Sequence, residues 1–251
     1  MKTRRILSFL LTLCMVLSLL PAMGQTAVAA DTSDVAYVNA AGEAMGTKTC
    51  TRVNAQETNW ANGWYALTTT WYFDSPIYVT GTVNLILCDG CTLAANKCIV
   101  LKPDSHLIIW AQNGGSGMIT ADSQEYFPCI GSNANIGNSG DLTIHGGVIS
   151  ATGGIYAPGL GSCGSNSGVI TISGGTVNAS GRDGDDNRYH APGIGASDMP
   201  GSGTGTMNDI CFFGGNTTAY RTGSCPPIGD RRKVHHACRL GHRECEIQEG
   251  L

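Results

Sequence analysis

The sequence predicts an all-β chain wound as a β-solenoid, and three observations predict it: two recurring markers and a two-residue apolar alternation. The first marker is a glycine pair inside an alternating phrase. Residues 141–153 read DLTIHGGVISATG, residues 169–181 read VITISGGTVNASG, and residues 210–219 read ICFFGGNTTA. The second marker is a short proline phrase that closes on Gly131, Gly161, Gly195 and Gly229, at spacings of 30, 34 and 34 residues. Both markers recur in the same order, which is the signature of a structural repeat.

Within a unit the apolar residues alternate, so the segments flanking each glycine pair are strands. Ile170, Ile172, Val177 and Ala179 face one way, with Thr171, Ser173, Thr176 and Asn178 on the other side. Leu142, Ile144, Ile149 and Ala151 form the equivalent set, as do Ile210, Phe212, Thr217 and Ala219. Further back, Leu107, Ile109, Ile119 and Ala121 precede Ile130, and a looser set of Leu85, Leu87, Leu93 and Ala95 precedes Ile99. One such unit buries too little to fold alone and leaves its strand edges open. Stacking solves both problems, because each strand then pairs in parallel with its equivalent about 4.8 Å away. Units of 22 to 40 residues are too long for a six-residue-repeat helix and predict the larger right-handed parallel β-helix, with a β-sandwich or propeller as the competing architecture. The glycine pair marks a sharp corner, where a positive φ carries no Cβ clash.

Four regions follow in order. Residues 1–30 carry Lys2, Arg4 and Arg5, an apolar run over residues 6–20, and Ala27-Val28-Ala29, the pattern of a secretory signal peptide. The run is shorter than the roughly 20 residues that a span needs, and no later stretch predicts a membrane span. Residues 31–76 hold Trp60, Trp64 and Trp71 beside Tyr65, Tyr72 and Phe73. These rings predict an N-terminal cap over the open core, and the competing reading is a set of sugar-stacking platforms. Residues 77–229 are the repeats. Residues 230–251 are basic and patternless, out of keeping with the rest, and read as a truncated or frameshifted end. Within that tail His235, His236, Cys238, His242 and Cys245 are zinc-ligand types, but their spacing matches no standard paired-ligand pattern.

The phrase LTIHGGVISATGG…APGLGS followed by ITISGGTVNASG…APGIGA, after the opening NWANGWYAL…VNLILCDGCTL, resembles secreted and surface repeat proteins of gut Firmicutes. The resemblance covers roughly residues 57 to 229. It implies a β-helical, pectate-lyase-like or carbohydrate-binding fold and export, and it names no catalytic residue.

The formal charge of −4 includes Lys2, Arg4 and Arg5, so the remainder stands at −7 and offers no basic face for nucleic acid. Glycine, at 35 residues, is about twice its usual ~7% share, and charged residues at 14% fall well below the usual ~25%. The acidic stretch at residues 181–190, GRDGDDNRYH, supplies Asp183, Asp185, Asp186 and Asn187 as oxygen ligands for a Ca²⁺ site. A calcium-assisted lyase would recruit Arg182 or Arg188 beside it, whereas a glycosidase needs two carboxylates held about 5 to 9.5 Å apart on rigid strands. Outward strand positions instead offer Thr143, Thr171, Ser173 and Asn178 as a ligand-binding face. His145 and His106 read as surface histidines without a placed carboxylate or nucleophile. Cys88-Asp-Gly-Cys91 sits in a turn with no helix to lower a thiol pKa, and Cys98 and Cys129 read as stacked thiols or a bridge between units. The function expected from these residues is a noncatalytic extracellular adhesion or glycan-binding module. Its partner is an extracellular glycan or a host or bacterial surface, and no cofactor is expected other than that Ca²⁺. A lyase or glycosidase and a passive spacer are the alternatives.

Overall fold

Repeated strand–corner–strand units build most of the described residues. The computed structural model describes residues 31–123, 126–184, 190–201, 204–221, 225–230 and 238–239. The expected signal segment and all but three residues of the basic tail lie outside the described residues.

The chain opens with a hairpin of β1 (Thr32–Val38) and β2 (Ala44–Arg52) and a short β3 (Asn59–Trp60). It then makes one three-strand pass six times. The passes are β4 (Gly63–Leu67), β5 (Trp71–Phe73) and β6 (Ile77–Val79); β7 (Thr82–Leu87), β8 (Thr92–Ala95) and β9 (Ile99–Leu101); β10 (His106–Ala111), β11 (Met118–Asp122) and β12 (Ile130–Asn133); β13 (Asp141–Ile144), β14 (Val148–Ile155) and β15 (Leu160–Cys163); β16 (Ile170–Ile172), β17 (Thr176–Arg182) and β18 (Ile194–Ser197); and β19 (Ile210–Phe212), β20 (Asn216–Tyr220) and β21 (Ile228–Asp230). A last strand, β22 (Cys238–Arg239), follows. The first strand of each pass joins sheet I, the second sheet II and the third sheet III. From β3 onward each strand pairs in parallel with the one three further along. The described residues are all β, without a helix, as the alternation predicts.

Registry puts like on like. Leu107, Leu142, Ile170 and Ile210 oppose one another in sheet I. Ala95, Ala121, Ala151, Ala179 and Ala219 do so in sheet II, and Ile99, Ile130, Leu160, Ile194 and Ile228 in sheet III. All of these side chains belong to one buried cluster enclosed by the three sheets. The looser early unit aligns differently from its sequence spacing: β7 and β10 are longer than the later strands, and Val83 and Leu85, not Leu85 and Leu87, oppose Leu107 and Ile109. The slip is two residues, so every side chain keeps its face.

The second marker is explained by a column of glycines. Gly131, Gly161, Gly195 and Gly229 lie side by side in sheet III with φ between +131° and +148°, and a Cβ on any of the first three would overlap the carbonyl oxygen of the next. The glycine pairs behave as corners: Gly147, Gly175 and Gly215 take φ near +80° between sheets I and II.

Residues 31–76 already hold the first two strands of the first pass, and their rings have more than one use. Trp60 is 1% exposed, stacks on Tyr65 at 5.6 Å and meets Phe73 edge-on at 6.4 Å, closing the first end of the core. The β1 strand is antiparallel to β2 and reaches across the outer side of sheet I to pair Val38 with Ala111 of β10. Beneath it Val35, Tyr37, Cys50, Ala66, Ile86 and Cys88 form a second, smaller apolar cluster.

Candidate functional site

The connections from sheet III back to sheet I build a polar groove of about 480 Å³. Three successive connections supply its walls: Pro103–His106, then Asn138–Asp141, then Asn166–Gly168, with Asn208 from a fourth. The sequence Asn-Ser-Gly occurs at both 138–140 and 166–168, and each of its residues has a separate task. The glycine allows close approach, since a Cβ on Gly140 or Gly168 would overlap the backbone of the preceding pass. The serines are buried, and Ser139 and Ser167 each donate a 3.1 Å hydrogen bond to the carbonyl of the glycine that follows. The asparagines are exposed. Asn138 Oδ1 accepts from the Asn166 backbone N–H at 3.3 Å, and Asn166 Oδ1 accepts from the Thr206 hydroxyl at 2.5 Å. Their amide oxygens therefore hold the loops together, and among the described residues neither Nδ2 group has a hydrogen-bond partner.

The first of these connections departs from the pattern. Ser105 stands where the later connections have Gly140 and Gly168, and, 2% exposed in the lining of the groove, it has no hydrogen-bond partner for its hydroxyl. Leaving a buried hydroxyl unpaired costs about 1–3 kcal/mol. The charged carboxylates of the groove are Asp104, exposed on a residue with φ +60°, and Asp141, one of whose oxygens accepts from the Val169 N–H at 2.8 Å. Among the described residues no lysine or arginine lines it. Lys102, adjacent in the chain, is turned over the Tyr78 ring, 5.2 Å from its centroid.

The groove borders the outer face of sheet I. His106 Nε2 and Thr143 Oγ1 share a 2.8 Å hydrogen bond across its edge. Thr143 opposes Thr171, and Ser173 lies beside His145 through its N–H bond to Ile144 O, so three of the four hydroxyl and amide residues expected as a ligand face stand together. Asn178 does not join them, because it lies on sheet II between Ser150 and Thr218. The same outer face carries an aromatic strip: Trp64 stacks on Trp110 at 5.9 Å, Trp110 meets His145 at 4.2 Å, and Tyr37 of β1 sits over both tryptophans at 5.1 and 5.2 Å. Burial lowers the His145 pKa, and nearby His106 lowers it further.

In the acidic loop, Asp183 turns to His190, with Oδ2 2.8 Å from Nδ1, and accepts from the Ala191 N–H through Oδ1. Asp185, Asp186, Asn187 and Arg188 lie outside the described residues. Arg182 is engaged with Asp122 at 2.9 Å. Nearby, Tyr156, at φ +62°, stacks on Tyr126 at 5.8 Å, and its carbonyl accepts from Ser197 Oγ. Among the described residues no three His, Cys, Asp or Glu side chains converge as a metal-ligand set.

Cys50, Cys88 and Cys163 are ill suited to nucleophilic work. Burial pushes Cys88 up to about 11, helped by Cys91, Cys50 and Asp89, and burial likewise takes Cys50 and Cys163 to about 11. Cys88 and Cys91 flank a tight turn closed by the Cys91 N–H to Cys88 carbonyl bond, so this pair resembles a redox dithiol in spacing only. The sequence reading missed the groove, although a signal was available: the repeated Asn-Ser-Gly lies immediately before the LTI and ITI strands. Comparison with protein-family models, with curated proteins and with solved structures found no match.

Proposed function

We propose that this protein is a noncatalytic extracellular glycan-binding module, coiled as a right-handed parallel β-helix and acting in adhesion at a host or bacterial surface. One observation carries the reading: exposed amides stand on three successive connections of the groove, at Asn138, Asn166 and Asn208. Strands in a sheet stand about 4.8 Å apart, so a polymer laid along the groove meets an amide on each of these three connections. Backbone bonds between the passes, such as Ser139 N–H to Asn166 O and Ser167 N–H to Thr206 O, hold those amides in place before a ligand arrives. Thr143 and Thr171 extend the polar surface onto sheet I. The resemblance to secreted and surface repeat proteins and the leader-like residues 1–30 support an extracellular setting.

The test is a glycan array probed with the secreted chain, followed by calorimetry with the strongest oligosaccharide. Retention of a polymeric glycan, weakened about tenfold by the Asn138→Ala/Asn166→Ala pair, supports the reading; that loss corresponds to about 1.4 kcal/mol. Release of new reducing ends would replace it with a hydrolase, and products absorbing in the near ultraviolet would replace it with a lyase. Binding to no glycan would leave a spacer.

A further inference from the structure

We propose that the groove selects glycans bearing protonated amines, that is, deacetylated amino-sugar chains, over neutral or uronate polymers. This inference rests on the glycan-binding reading above and adds the ligand's charge.

Three features of the groove argue for it. Among the described lining residues, its carboxylates, Asp104 and Asp141, face no lysine or arginine. A uronate chain would set carboxylate against carboxylate there, whereas an ammonium group gains a charge-assisted hydrogen bond. The Nδ2 groups of Asn138 and Asn166 are donors suited to hydroxyl and ring oxygens, so the site asks for a polyhydroxylated chain as well as a cation. The third feature is independent of charge. Ser105 keeps a buried, unpartnered hydroxyl at the floor between the two carboxylate-bearing connections, and a ligand hydroxyl or amine seated there would complete it. His106, bonded to Thr143, forms the wall beside it.

Calorimetry on the full chain with four hexameric probes separates the outcomes: glucosamine, N-acetylglucosamine, galacturonate and lysine. The glucosamine hexamer is expected to bind about tenfold more tightly than its acetylated form, with the advantage shrinking from about 20 to about 200 mM salt as screening lengths contract. The Asp104→Asn/Asp141→Asn pair should bring the two sugars to parity. Both substitutions suit the fold, because asparagine tolerates the φ +60° of Asp104 and its amide oxygen still accepts from Val169 N–H at position 141. An unchanged melting temperature confirms this. Ser105→Ala should weaken the glucosamine hexamer while leaving the melting temperature the same or higher. Equal affinity for acetylated and free hexamers, or a double variant indistinguishable from the parent, overturns the proposal while the glycan reading stands. Hexalysine binding as tightly as the glucosamine hexamer also overturns it, by showing attraction to polycations alone. If none of the sugars binds, the glycan reading itself fails.

Discussion

Replacing Gly161 with alanine adds one methyl group between neighbouring passes, and the structure gives its cost. Gly161 has φ +131°, and an added Cβ would overlap the Gly195 carbonyl oxygen and lie 2.8 Å from its carbon, where ordinary contact begins at 3.4 Å. Holding alanine in that backbone region costs about 1–3 kcal/mol. Relief requires β15 and β18 to part, and losing two ladder hydrogen bonds between them adds about 2 kcal/mol. The expected destabilisation is therefore about 3–5 kcal/mol, read from urea unfolding followed by circular dichroism. Gly90→Ala is the matched control: φ is +73° but nothing lies within 4 Å of the new Cβ, so only the left-handed cost of about 1–2 kcal/mol applies. If the two variants lose equal stability, the glycine column is not a close-approach seam and the reasoning fails.

Two further predictions concern the outer face of sheet I. Because the folded His145 pKa lies below the ordinary 6.5, the unfolded chain takes up its proton first as pH falls. The stability tied to neutral His145 is full above pH 6.5 and is lost as pH drops toward the folded value; melting curves at pH 7.5 and pH 5 should show a drop that His145→Gln reduces. Tyr37→Ala removes a buried ring from over Trp64 and Trp110 and should cost about 3 kcal/mol with a red-shifted tryptophan emission, whereas unchanged emission would mean that β1 does not cover the strip.

Period-two ladders and glycine corners were legible because they recur in order and each residue type has one physical reason to be there. Ile170, Ile172, Val177 and Ala179 all face inward as their alternation requires. The groove was harder to read. Asn138 and Asn166 are 28 residues apart, but Asn208 follows after a longer connection, and loops of unequal length blur a repeat. Ser105 stands where the later connections have Gly140 and Gly168, and the lack of a partner for its hydroxyl is a matter of packing that residue identity alone does not reveal. The rings of residues 31–76 divided for a similar reason: Trp60 and Phe73 close the core end, but Trp64 joins Trp110 on the outside, through a contact 46 residues long. No local pattern encodes that pairing. Asn178 alternates correctly and still lies on a different sheet from Thr143, because the glycine corner at 174–175 comes between them.

The hairpin strand β1 has a temporal consequence. Pairing from pass to pass joins residues about 30 apart, but β1 closes on β10 through Val38 and Ala111, and Gln112 donates its side-chain amide to the Ala36 carbonyl across 76 residues. Synthesis proceeds from the N-terminus, and closing a longer loop costs more entropy before any contact rewards it. The hairpin of β1 with β2 forms between neighbours in sequence, but its junction with β10 waits until the third pass has formed its own first strand. A chain lacking that pass is expected to leave the Tyr37 ring without its Trp110 contact.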